Sequence, residues 1–309
     1  MNKTNNNSTP ADDFHLLAFS RYAKIQVALF VVVLLFYMLT LVGNIIITVL
    51  ICLESKLHTP MYFFLCNLSI QDIMYVSAIL PKLLTISKTG DTSISFRACI
   101  TQMFLFIFCI ETEFFLLTSM AYDRYVAICM PLHYSLIMSK TKCAILAIVS
   151  WLIGILNSLM YALKVSELPF CRKKNINHFY CDMKVMLNLS CSDTTNIESI
   201  IFIEGLLIGF LPFSLILISY VYIISAILKM CTSAGRLNAF SRCSSHIATV
   251  LLFCLSSLSQ YMKPQTENSQ ELDKVISMVY VALVPMLNPL IYSLRNKDIL
   301  NAMKKVITC

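Results

Sequence analysis

The sequence predicts an all-α membrane protein, a seven-transmembrane helix bundle with a short amphipathic C-terminal helix. Three observations lead there. Of 309 residues 58% are hydrophobic and 13% charged, with a mean hydropathy of +0.74, whereas a soluble globule carries about 25% charged residues. Apolar stretches near bilayer-spanning length, about 20 residues, recur seven times. The acids inside them are few: Asp72, Glu111, Glu113 and Glu204.

Each span has its own mark. Residues 25–53 hold no charge, and 60–80 are interrupted only by Asp72. The third span, 99–122, carries Glu111 and Glu113 and runs into Asp123, Arg124 and Tyr125. The fourth, 143–163, is uncharged and holds the only tryptophan, Trp151. The fifth, 199–228, contains Glu204 and Pro212; the sixth, 244–262, has His246 as its one titratable cation; the seventh covers 275–294. The chain thus divides into an outer, glycosylated N-terminus (1–24), the bundle (25–294) and a cytoplasmic tail or helix (295–309). The first ten residues are polar and Asn-rich, without the apolar core of a signal peptide, so the first span is expected to act as an uncleaved signal-anchor.

Charge narrows function without orienting the chain. The net charge of +7 is scattered, with no basic stripe suited to nucleic acid. With the N-terminus outside, 11 Lys/Arg fall inside and 13 outside, so the positive-inside bias does not decide. Sequons and cysteines do. Asn2, Asn6, Asn7 and Asn188 each open an N-x-S/T sequon, and seven spans put them on one side together with Cys99, Cys171, Cys181 and Cys191. Four cysteines beside glycan acceptors read as disulfides in an oxidising lumen, with three pairings open. The N-terminus is therefore expected outside, in a multi-pass plasma-membrane protein. Asn67 also opens a sequon but lies inside the second span. The other nine cysteines read as small buried hydrophobes.

Chemistry-bearing constellations are otherwise sparse. No Cys/His spacing matches a zinc site, and a metal at His178, Cys181 and Asp182 would compete with a disulfide. No internal repeat of the transporter kind and no nucleophile–base set within the spans is present, so a transporter or an intramembrane hydrolase is disfavoured and no enzyme is expected. An ionisable residue inside a membrane helix is a functional candidate by default. Glu113 and Arg124 are eleven residues apart, about three turns, and share a face. Glu111 is turned away from Glu113 by roughly 200°, so the two glutamates serve different surroundings.

Five stretches together carry a resemblance: PMYFFLCNLSIQD (60–72), MAYDRYVAICMPLHY (120–134), SY (219–220), AFSRCSSHIATV (239–250) and PMLNPLIYSLRN (285–296). In this order and in these spans, the chain resembles an olfactory receptor of the rhodopsin-like G-protein-coupled class from about Phe14 to Lys304. The resemblance implies a small-molecule odorant bound in the outer half of the bundle and a stimulatory, olfactory-type heterotrimeric G protein that raises cyclic AMP. The alternative within the class is a non-olfactory receptor for an amine or metabolite. It implies that Arg124 pairs with Asp123 at rest, beside Tyr125, and is released on activation. Asn288, Pro289 and Tyr292 match the NPxxY element, with Tyr220 and Tyr292 swinging in to stabilise the active state. From the three pairings it selects Cys99 with Cys181 and Cys171 with Cys191. It implies that Asp72 and Glu113 hold a sodium ion in the inactive bundle, in keeping with the repulsion of two carboxylates at low dielectric; the alternative is two neutral, hydrogen-bonded acids. No obligatory cofactor is implied.

The resemblance also places a ligand pocket. Phe104, Ile107, Phe108 and Glu111 form one stripe of the third span, and Glu204, Cys254 and Tyr261 face the same cavity. Two acids in an aromatic and aliphatic pocket point to an amine or another hydrogen-bond donor, or else to protonated acids facing Ser/Thr neighbours. The sequence departs from the family where Phe-Tyr-Gly usually follows the SSH motif: Phe253, Cys254 and Leu255 stand there. Asn238 and Arg242 likewise replace the usual Lys and Thr.

Overall fold

Helices follow the apolar runs and outlast them. In lipid every backbone N–H and C=O must be satisfied internally, and helical hydrogen bonding continues until a capping group stops it. The computed structural model describes residues 13–19, 26–170, 174–230, 232–261, 269–295 and 297–307. Helix α1 spans Gln26–Leu53 and α2 spans Pro60–Thr89. Pro60 opens α2 at a position where its missing N–H costs nothing, and Gly90 closes it in the left-handed region at φ 73°. Helix α3, Phe96–Cys129, starts where the Ser95 hydroxyl accepts from the Ala98 N–H. Helix α4, Lys140–Ser166, has the same cap from Ser139 to Lys142. Helix α1 coincides with the stretch that hydropathy marks, whereas α2, α3 and α4 run several residues past theirs.

Two of the remaining helices each contain a widened turn. Helix α5 is built of Thr195–Glu204, a π-helical segment Gly205–Phe210 and Leu211–Leu228. After α6, Ser233–Tyr261, comes α7: Ser269–Met278, a π segment Val279–Leu283 and Val284–Arg295. Each π segment ends two residues before a proline, Pro212 or Pro285. A proline ring clashes with the carbonyl four residues back and offers no N–H, and a widened turn at that place accommodates both defects. Helix α8, Lys297–Ile307, closes the chain with Ile299 and Ala302 buried and Asp298, Asn301, Lys304 and Lys305 exposed.

Among the described residues six helices are long and apolar enough to cross a membrane: α1, α2, α3, α4, α5 and the stretch Glu271–Tyr292 of α7. In α6 the apolar portion is shorter, Cys243–Cys254. Exposed Val, Ile and Leu side chains cover α1, α4 and α5, as expected of helices solvated by lipid. The chain is a multi-pass helical membrane protein. Helix α3 is the most deeply packed, against α2, α4 and α5, while α1 packs on α2 and α7. At Gly43 the approach of α1 to α7 is so close that an added Cβ would lie 2.9 Å from Pro289 Cγ.

One feature departs from the all-α expectation. A three-stranded sheet, ordered β2-β1-β3, joins Asp13–Leu16 (β1), Ser93–Ser95 (β2) and Asn175–Ile176 (β3). β1 pairs antiparallel with β2, Phe14 opposite Ile94, and parallel with β3, Leu16 opposite Ile176. Phe14, Leu16 and Ala18 are buried, with the Phe14 ring against Phe96 and Phe170. Part of the expected N-terminal arm is therefore built into the Cys99 end of the bundle; Asn2, Asn6 and Asn7 lie outside the described residues.

Candidate functional site

Helix α3 is the axis, and polar groups occupy it at four levels. At its first turn Cys99 is disulfide-bonded to Cys181, the pairing that the family resemblance selects. Beside that bond Gln102 Oε1 accepts from the Cys181 backbone N–H at 2.9 Å, and Gln102 Nε2 donates to the Ala78 carbonyl at 3.0 Å. The segment before Cys181 is drawn inward, with the buried Tyr180 ring 4.7 Å from that of Phe106. Burial drives the Tyr180 phenol well above its ordinary pKa. Cys191 is also disulfide-bonded, while Cys171 lies outside the described residues. Asn188 is exposed on the short helix Met183–Leu189.

The second level belongs to Glu111, whose Oε1 accepts from Asn157 Nδ2 of α4 at 2.6 Å. Phe104 stacks on Phe108 at 6.0 Å, and Phe108 lies 5.4 Å from Trp151 of α4. Gly154 makes this contact possible: a Cβ there would sit 2.4 Å from Thr112 Oγ1 and 3.0 Å from the Phe108 carbonyl. Small residues allow such close helix approach in membranes. Ile107 is buried beside the stripe. Glu204 of α5 accepts a hydrogen bond from the Tyr161 hydroxyl, again on α4. Cys254 is buried, next to Phe253, whose ring meets Phe114 edge-on at 4.5 Å. Tyr261 ends α6, and its side chain lies outside the described residues.

Glu113 forms the third level on the opposite side of α3, where it lies beside Gln71 of α2 and feels the charge of Asp72. Asp72 Oδ2 accepts from Asn288 Nδ2 at 3.0 Å, which joins α2 to α7. Asp72 Oδ1, Glu113 Oε1 and Asn288 Oδ1 are buried without a hydrogen-bond partner. Unsatisfied buried oxygens are costly, and a hard cation takes oxygen ligands of this kind, so these residues fit a sodium ion. No group of three or more His, Cys, Asp or Glu suited to a metal is found among the described residues.

At the fourth level the buried Asp123 carboxylate accepts from Arg124 Nε at 2.9 Å, from a second Arg124 nitrogen, and from the Tyr134 hydroxyl at 2.7 Å. Tyr125 contacts the rings of Tyr122 and Tyr222. Tyr220 of α5 meets His246 of α6, hydroxyl to Nδ1, at 2.5 Å. Tyr292 is fully buried and Pro289 lies inside α7.

The family description "Olfactory receptor" matches residues 33–309. The chain belongs to the olfactory receptor family. Among curated relatives, human Olfactory receptor 5B12 is 44% identical over 304 residues, covering 97% of this chain and 96% of its own. Olfactory receptor 1E2 of the gorilla is 45% identical over 301 residues, with the same coverage of each chain. Mouse Olfactory receptor 1E16 is 43% identical over 303 residues, 98% and 96% of the two chains. An olfactory receptor is a signalling protein rather than an enzyme.

Within this olfactory receptor, Phe104, Phe108 and Glu111 come together against α4, and Asp72, Glu113 and Asn288 come together between α2, α3 and α7. Sequence reasoning missed Asn157 and Tyr161, the partners of the two pocket acids. A signal was available: two hydrogen-bonding side chains at i and i+4 on one face of an otherwise apolar span. Asn67, a sequon asparagine, is engaged inside the bundle, its Oδ1 accepting from Trp151 Nε1 at 2.9 Å.

Proposed function

We propose that this chain is a seven-span odorant receptor in the plasma membrane, N-terminus outside and C-terminus cytoplasmic. A small molecule bound against the Glu111 face of α3 releases Arg124 to a stimulatory, olfactory-type G protein and raises cyclic AMP. The observation that supports this reading is the succession along α3 of Glu111, Glu113 and the Asp123–Arg124 pair, set against Asn157, against Gln71 and Asp72, and against Tyr134 respectively. Helix α6 supplies the seventh span, and α8 lies along the inner surface with its apolar side inward.

Ligand contact with Glu111, Phe104 or Phe108 bears on α4 and α5, and Glu113 on the same helix bears on α2 and α7 through Asp72 and Asn288. Asp72 and Glu113 would hold a sodium ion, whose positive charge would let both acids stay ionised. Rotation of α3 or α7 separates these oxygens, and the same movement strains the Asp123 contacts to Arg124 and Tyr134. Arg124 is then free to present its guanidinium to the G protein, with Tyr220 and Tyr292 filling the space. The ligand lies where it can meet Glu111 and Glu204.

A cyclic AMP reporter in cells co-expressing an olfactory-type G protein, screened with a chemically broad odorant panel, tests the reading. A dose-dependent rise that Arg124→Ala abolishes at equal surface expression is expected; silence across the panel in well-expressed receptor counts against it.

A further inference from the structure

We infer that Asn157 and Tyr161 of α4 hold Glu111 and Glu204 as a paired-carboxylate clamp that selects ligands bearing a primary ammonium group, an inference that rests on the receptor reading above. Asn157 and Tyr161 are one turn apart on one face of α4. Each fastens one acid: Asn157 Nδ2 donates to Glu111 Oε1, and the Tyr161 hydroxyl donates to Glu204 Oε2. Two carboxylates that arise on different helices, α3 and α5, are thereby brought to the same strip of α4, where their charges repel.

The cluster has more acceptors than donors. Two carboxylates offer four oxygens, and α4 donates one hydrogen bond to each acid, from Asn157 to Glu111 and from Tyr161 to Glu204. Glu111 is only 9% exposed, and its Oε2 has no hydrogen-bond partner. A buried carboxylate oxygen left unpaired is costly. Glu204, by contrast, is partly exposed, and it stands directly before the π segment Gly205–Phe210.

An ammonium group matches this deficit in both respects, with a positive charge and three N–H donors. An alcohol of equal size brings one donor and no charge. A quaternary ammonium brings charge without donors. Asn157 and Tyr161 therefore act as positioning residues: they fix the spacing of the two oxygens that a primary ammonium bridges.

The test compares linear alkylamines, alkanols of equal chain length and the corresponding trimethylammonium compounds as stabilisers of purified full-length receptor against thermal unfolding. The amine is expected to stabilise at about tenfold lower concentration than the alkanol or the quaternary analogue. Tyr161→Phe, which keeps the ring, is expected to shrink the amine-to-alkanol ratio while leaving the alkanol midpoint unchanged. Glu111→Gln and Glu204→Gln are expected to remove the ratio. Equal potency of the three ligand classes on the unaltered receptor overturns the clamp, and so does an unchanged ratio in Tyr161→Phe. Stabilisation by amines without any cyclic AMP response rejects the signalling reading and leaves the clamp standing. Cyclic AMP responses to neutral odorants without amine preference do the reverse.

Discussion

The backbone N–H of Cys181 donates to Gln102 Oε1 at 2.9 Å, so the disulfide that ties the long loop to α3 is doubled by a hydrogen bond one turn further along the helix. Both groups are buried. Gln102→Leu strands the Cys181 N–H, and such an orphaned group costs about 1–3 kcal/mol. A lower Tm of purified receptor is expected, with Gln102→Glu milder because it keeps the acceptor for Cys181.

Gly154 and Gly205 should respond oppositely to alanine. At Gly154 the new methyl meets Thr112 Oγ1 and the Phe108 backbone carbonyl, and overpacking of this kind costs about 1–3 kcal/mol. At Gly205 nothing lies within 4 Å, so alanine gains up to about 1 kcal/mol of helix propensity. Thermal unfolding of the two single variants checks the contrast.

Phe14→Ala removes a ring that is 1% exposed and packed between Phe96 and Phe170. Losses for such a truncation run to about 3–5 kcal/mol in well-packed cores. Faster proteolysis of the 13–19 segment is the expected sign, with a reduced Tm.

Helix α8 is fastened to the turn after α1 by Lys305 Nζ donating to Glu54 Oε2 at 2.8 Å, and that hydrogen bond holds the Glu54 carboxyl below its ordinary value of 4.5. A depressed folded-state pKa means that the stabilisation is present above the unfolded value and is lost as pH falls through the folded one. Spin-label distances between α1 and α8 should therefore be constant from neutral pH down to about 4.5 and lengthen below it. Lys305→Met should show the longer distance at every pH.

Tyr134→Phe removes one of the two residues that hold the Asp123 carboxylate. On the proposed mechanism Asp123 then restrains Arg124 less firmly, and ligand-free cyclic AMP is expected to rise several-fold at matched surface expression. An unchanged basal level would assign the Tyr134 hydroxyl to stability alone.

The long helices were legible because lipid demands apolar side chains over a fixed length, and the split of Glu111 from Glu113 was legible because helical phase is fixed by geometry. Helix ends were not. Hydropathy stops at about residue 80 in the second span, whereas α2 continues to Thr89 until Gly90 turns the chain. The sheet was invisible for a different reason: DFHL, SIS and NI are two to four residues long, too short to show alternation, and their pairing depends on where three distant loops meet. The π segments carry no composition of their own and show only as a proline placed after them. Asn157 and Tyr161 carry no charge to mark them in an apolar span, although they are the partners of the two acids.

The parallel pairing of Leu16 with Ile176 sets a timetable for making the molecule. β1 leaves the ribosome about 160 residues ahead of its parallel partner. At synthesis rates of about 5–20 residues per second, Phe14 and Leu16 wait on the order of ten seconds or longer with an unfilled strand edge. The first-made strand of the sheet is thus completed only after four long helices have been translated.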